Sequence, residues 1–239
     1  MCYALSMAAK NSVKDFVPDA YYHLYNRGVE KRTIFIDEQD RAVFLSYLKT
    51  YLLPKDEDAL RAIVANPESS YKEKACALQL LHLNNFANTL TLLAYCLMPN
   101  HFHFLVKQSG ATTIDQFMNS FGVRYSMYFN RKYRRVGGLF QGVYKAVRIT
   151  SDEQLLHLSL YIHRNPMTLA SKDHLLRGYT HSSYPQYLGL SHAEWLHPDD
   201  ILGYFPKSQK RGYQEFVEGP TEEDHALLIA KLAIDEDEA

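Results

Sequence analysis

His101 and His103 flank Phe102 in an apolar run, HFHFLV, from His101 to Val106. A strand turns alternate side chains to opposite faces, so both imidazoles share one face while Phe102 and Phe104 share the other. Two neutral imidazoles side by side can give a divalent metal two ligands, and the remaining ligands decide which metal. The same spacing also suits two polar residues on an open sheet face, and spacing alone leaves both readings open. Tyr161 and Asn165 are a second candidate pair. With Gln154 and His157 they fall on one stripe at helical spacing, beside the apolar set Leu155, Leu158 and Ile162. Asn165 precedes Pro166, which disfavours the α region and predicts a distorted last turn. A phenol has a pKa of about 10 and is a poor nucleophile at neutral pH without help. A metal on His101 and His103 could polarise a phosphodiester oxygen for attack by Tyr161. The product would be a phosphotyrosine, whose retained bond energy allows a strand to be rejoined.

These residues need a sheet and a helix to hold them. Tyr21 to Asn26 is short and aromatic and reads as a strand. Glu38 to Leu53 reads as a helix stopped by Pro54. Lys55 to Phe86 is polar-helical, an insertion or helical pair. Thr89 to Leu97 and His101 to Lys107 read as an antiparallel hairpin across Met98-Pro99-Asn100. Thr113 with Gln116 suggests a capping box opening a helix that ends at Gly137-Gly138. Gln141 to Ile149 reads as a strand, and Ser151 with Gln154 as a second capping box. The order β-α-β-β-α-β plus a further helix predicts an α+β chain. Its centre is a ferredoxin-like (split βαβ) antiparallel sheet with helices on one face, a helical insertion and a C-terminal extension. The expected divisions are a leader over 1–18, the main domain over 19–169 with the insertion at about 55–86, an extension over 170–213 and an acidic tail over 214–239. His181 to Gly189 reads as a surface-hugging loop, and Glu222 to Ile234 as a short helix.

Composition narrows the class. The chain has 239 residues, 46% of them apolar, and a formal charge of −1. That is enough for a real core and excludes a wholly disordered or collagen-like chain. No apolar run approaches the roughly 20 residues that span a bilayer, so no membrane partner is expected. Met1 to Phe16 is too polar for a signal peptide, and three cysteines without paired spacing suit a reducing cytoplasm. The near-zero charge argues at first against a nucleic-acid partner. It averages two regions, however. Residues 214–239 hold nine acids and one base, while residues 1–213 hold 25 bases and 18 acids. Gln116 to Ser151 has no acid and carries Arg124, Arg131, Lys132, Arg134, Arg135, Lys145 and Arg148 among eight aromatics. Bases that neutralise phosphates beside rings that stack on exposed bases suit single-stranded nucleic acid. A solvated helix face over an aromatic core would look the same.

Three motifs in order are similar to a known family: MPNHFHFLV (Met98 to Val106), YSMYFNRKYRRVGGLFQGVYKAVRI (Tyr125 to Ile149) and LLHLSLYIHRNP (Leu155 to Pro166). They resemble the single-tyrosine transposases with a His-hydrophobic-His motif, in the branch of the REP-associated tyrosine transposases. YYHLYNRGVEKRTIFID and SSYPQYLG resemble that branch more weakly. The resemblance runs from about Asp19 to Phe205. It implies a metal-dependent endonuclease and strand transferase acting on hairpin-containing single-stranded DNA. Tyr161 would be the nucleophile, joined to the 5′ side and releasing a 3′-hydroxyl. His101 and His103 would hold Mg²⁺ or Mn²⁺ with Asn165 as third ligand. A homodimer is compatible with the pattern, and so is a monomer. The alternative is a catalytically silent single-stranded DNA- or RNA-binding module of the same fold. His163 and Arg164 depart from the expected pattern and bear on substrate contact.

Overall fold

The structure is a computed structural model, and it describes residues 16–169, 175–205 and 212–219. Strands β1 (Ala20–Arg27), β2 (Leu90–Met98), β3 (His101–Gln108) and β4 (Lys145–Ile149) form one sheet in the order β2-β3-β1-β4. Every neighbouring pair is antiparallel. Helices α1 (Glu38–Leu52) and α4 (Thr113–Lys132) follow β1 and β3. This is the split βαβ arrangement expected from the element order.

The sheet has two aromatic-rich faces with different tasks. Phe102 and Phe104 turn toward α1, where Phe44 meets their rings at 5.3 and 6.0 Å. Phe44 also meets Phe121 and Tyr125 of α4 at 4.6 and 4.8 Å. Each such fully buried ring contributes about 2–3 kcal/mol, so this interleaved set anchors both helices to the sheet. The fifth helix, α5 (Asp152–Arg164), packs against β2 and β3 on the opposite face, with Tyr161 against His103. Helices thus cover both faces of the sheet, the pair α1 and α4 on one and α5 on the other.

Residues 55–86 contain α2 (Glu57–Ala65) and α3 (Tyr71–His82), which pack on each other. Asp56 and Ser70 cap them by accepting from Ala59 and Glu73 backbone N–H groups. Among the described residues, four single- or double-turn α-helices follow α5: α6 (Leu175–Gly178), α7 (Tyr184–Tyr187), α8 (Asp199–Leu202) and α9 (Gly212–Glu218).

Several local expectations change. The Thr113–Gln116 box does not form. Thr112 is the N-cap, without a side-chain bond, and the Gln108 side chain accepts from the Ile114 N–H instead. Helix α4 ends at Lys132, before the glycine pair, and Arg134 takes a left-handed φ of 50°. Residues 141–144 lie outside β4. His181 to Gly189 is no surface loop: Ser182, Ser183, Tyr184 and Tyr187 are buried against the outer edge of β2. The Ser183 hydroxyl accepts from Tyr95 N–H, and the Leu97 N–H donates to His181 O, so the edge of β2 is satisfied without a fifth strand. The leader's end is also tied down, since Phe16 is buried and Gln108 donates to Val17 O. The expected helix at Glu222 to Ile234 lies outside the described residues.

Candidate active site

The β1–β3 register builds the site. Tyr25 lies opposite His103 and Arg27 opposite His101, so all four residues share one sheet face. Lys145 of β4 lies opposite Tyr25 on the same face. Helix α5 then lays Tyr161 edge-on to His103, with ring centroids 5.3 Å apart, and brings Asn165 to His101. The four residues expected from the two motifs therefore meet, although about 60 positions separate the strand pair from the helix pair.

Asn165 holds a helical conformation, φ −47° and ψ −41°, despite preceding Pro166. Its N–H continues the helix to Tyr161 O, and a 3-10 turn (Asn165–Thr168) carries the chain on. The expected distortion is displaced past Asn165, because the proline ring needs no donor partner at the start of the next turn.

The Asn100 amide orients His101. Asn100 donates through Nδ2 to Lys31 O, so its Oδ1 faces His101 Nδ1 at 2.7 Å and takes a proton from it. In the neutral ring, His101 Nε2 then carries a lone pair. Asn165 donates through Nδ2 to Tyr161 O at 3.3 Å, which turns its Oδ1 toward His101 Nε2 at 3.4 Å. Two acceptors facing at that distance suit a cation or a proton between them. His103 is fully buried, and its Nε2 has no hydrogen-bond partner among the described residues. Burial, reinforced by His23 and His101, holds the His103 imidazolium well below the ordinary range, so the ring is neutral and ready to coordinate. These residues fit a divalent ion held by two imidazoles and one amide oxygen. Among the described residues no group of three or more His, Cys, Asp or Glu side chains could hold a metal. The present set contains only two such residues, with the amide as its third donor. Cys96, opposite His103 on β2, is buried and its thiol pKa is pushed up, so it stays a neutral core group.

Two neighbours escaped the sequence reading. His23 Nε2 lies 2.8 Å from His103 Nδ1, and Tyr25 packs on His23 at 4.7 Å. Burial, with Tyr161 nearby, pushes the Tyr25 phenol up to about 12. The strand pattern of YYHLYN puts both on one face, but only the register says that this is the histidine face.

The seven basic residues expected to grip DNA separate into groups. Lys145 lies on the histidine face, exposed, over the Tyr25 ring at 5.9 Å. Arg148 is exposed in β4 on the opposite face. Arg131 and Arg134 are exposed at the end of α4. Arg124 stacks on Tyr47 at 4.0 Å, and Arg135 donates to Asn130. Lys132 is committed internally, with Nζ 2.6 Å from Asp37 Oδ1 and 2.8 Å from the buried Asp40. His163 and Arg164 also face inward. His163 bonds Tyr213 and Ser183 hydroxyls, and Arg164 donates to Val217 O and Gly219 O.

Residues 73–165 match the family model described as "Transposase IS200 like". That segment contains β2, β3, α4, β4 and α5, and with them His101, His103, Tyr161 and Asn165. Across it the chain is similar to the IS200-like transposases, the family that its motifs resemble. Two solved structures resemble the chain distantly. One, a REP-associated tyrosine transposase bound to a REP hairpin, is 9% identical with a TM-score of 0.43, covering 78% of this chain and 96% of its own. The other, a Deinococcus radiodurans R1 protein described as a transposase candidate, is 17% identical with a TM-score of 0.27, covering 64% and 96%. No curated protein matches the chain.

Proposed function

We propose that the protein cleaves and rejoins single-stranded DNA beside a hairpin through a covalent bond to Tyr161, with a Mg²⁺- or Mn²⁺-type ion on His101, His103 and Asn165. The observation that carries this reading is the meeting of Tyr161, His103 and the facing pair His101–Asn165 on one sheet face. The ion, when bound, supplies electrophilic stabilisation of a phosphodiester oxygen. The remaining work falls to the chain. Tyr161 Oη attacks phosphorus, the P–O3′ bond breaks, and the departing 3′ oxygen takes up a proton as the phenol loses one. The DNA 5′ phosphate remains on the tyrosine, and attack by another 3′-hydroxyl reverses the step. Arg27 and Lys145, flanking His101 and Tyr25, are the cations best placed to orient the phosphate. A soluble cytoplasmic role, in transposition or in mobilising REP-type elements, fits a chain whose described residues include no membrane-spanning helix.

The test is incubation of the full chain with hairpin oligonucleotides bearing single-stranded flanks, with and without Mn²⁺, resolved on a denaturing protein gel. The proposal expects an Mn²⁺-dependent adduct, abolished in Tyr161→Phe and strongly reduced in His101→Ala and His103→Ala. An adduct that persists in Tyr161→Phe overturns the nucleophile. Binding without any adduct, on every hairpin tried, favours the silent binding module.

A further inference from the structure

His23 is a buried titratable side chain that touches the candidate site and has no role in the chemistry above. It belongs to β1, the central strand next to β3, and is fully buried. Its Nε2 approaches His103 Nδ1 at 2.8 Å, and the two rings stack with centroids 5.1 Å apart and planes 18° from parallel. Tyr25 packs on His23 at 4.7 Å and Tyr161 approaches it edge-on at 6.2 Å. The ring is therefore held from several sides. Between two neutral imidazoles, one nitrogen donates and the other accepts. If His103 Nε2 is to offer a lone pair, His103 Nδ1 must carry the proton, and His23 Nε2 must accept it. His101 has the same arrangement, with Asn100 Oδ1 as the acceptor for its Nδ1.

We propose that His23 is a positioning residue that accepts the His103 Nδ1 proton and thereby fixes His103 in the tautomer that presents Nε2 to a divalent cation. This rests on the metal reading above and adds the element that orients its most buried ligand. Partners that hold the outer nitrogen of a ligating histidine typically change metal affinity by about 10- to 100-fold. Its hydrogen bond to His103 Nδ1 is the contact through which it acts on the ligand.

Mn²⁺ binding to the full chain without DNA, followed by the loss of the free-ion EPR signal, separates the possibilities. His23→Phe keeps a ring of similar size and removes the acceptor, and is expected to weaken Mn²⁺ binding by about tenfold or more. His23→Gln restores an acceptor oxygen and is expected to recover most of that loss. In adduct formation, excess Mn²⁺ should rescue His23→Phe toward the wild-type maximal rate, which a general packing defect would not allow. As a second measurement on unaltered protein, long-range ¹H–¹⁵N spectra should report His103 as the Nδ1–H tautomer. Wild type that binds Mn²⁺, with His23→Phe binding as tightly, overturns the role of His23 alone. So does an Nε2–H tautomer at His103. Wild type that binds no Mn²⁺, or binding untouched by His103→Ala, overturns the metal reading and the inference with it.

Discussion

Charge at a single residue has two uses here, and burial separates them. Lys132 looks like a DNA-gripping base in the linear sequence, but it closes an ion-pair cluster with Asp37 and the buried Asp40, joined by Tyr128 and Tyr133. Breaking a buried pair strands a charge, whereas an exposed base costs little to remove. Lys132→Met should therefore destabilise the fold by about 2–3 kcal/mol, moderated because tyrosine hydroxyls and backbone N–H groups still reach Asp40. Denaturant titration measures this, and the salt slope of DNA binding should stay unchanged. Lys145→Ala should do the opposite, lowering that slope by about 0.7 to 1 while leaving the denaturation midpoint in place. The same logic marks what was legible beforehand. His101, His103, Tyr161 and Asn165 sit in local patterns that report their faces. His23 and Tyr25 also alternate correctly, but their partnership with His103 depends on strand register, a property of two segments some 80 positions apart.

At the scale of elements, the fold's strands and long helices follow from hydrophobic periodicity, and the divergences come from long-range partners. His181 to Gly189 is rich in Ser, Tyr, Pro and Gly and reads as a loop. It is buried because its hydroxyls meet the backbone edge of β2, which periodicity does not encode. Residues 214–218 read as the start of an acidic tail. They form most of α9, which clamps α5: Tyr213 bonds His163 and Ser159, and Arg164 caps the chain at Val217 and Gly219. This clamp sits directly before Asn165, so it sets the end of the helix that carries Tyr161. Glu218 helps hold it. Its carboxyl is held down to about 2 from 4.5, chiefly by Arg177 with Gln214 and Tyr184 adding, while burial opposes. A depressed carboxylate pKa stabilises above its unfolded value and loses that contribution as pH falls from about 4.5 toward about 2. Hydrogen-exchange protection at α5 and α9, corrected for the intrinsic pH dependence of amide exchange, should fall over that interval in wild type. Glu218→Gln should exchange faster at neutral pH and lose that component of the acid response.

For the whole molecule, the formal charge of −1 conceals a basic body and an acidic C-terminal region. Within that region α9 is an integral part of the fold, and residues 220–239 carry seven acids and one base, a charge that would compete with DNA for a basic surface. Deleting 220–239 should tighten DNA binding at low salt and narrow its difference from wild type at high salt, with the melting temperature unchanged. Deleting from residue 212 should instead lower the melting temperature, because it removes Tyr213 and Val217 from the core. Equal DNA binding with and without 220–239 at every salt concentration would contradict a competing tail.

The central claim is that one phenol carries the DNA. Trypsin should release the peptide from Ile149 to Arg164, in which Tyr161 is the sole tyrosine. The most direct measurement is mass spectrometry of that peptide after reaction with hairpin DNA and Mn²⁺, with nuclease trimming of the bound strand. The account predicts a nucleotide phosphate on Tyr161. A nucleotide on any other peptide, with Tyr161 unmodified, would contradict it.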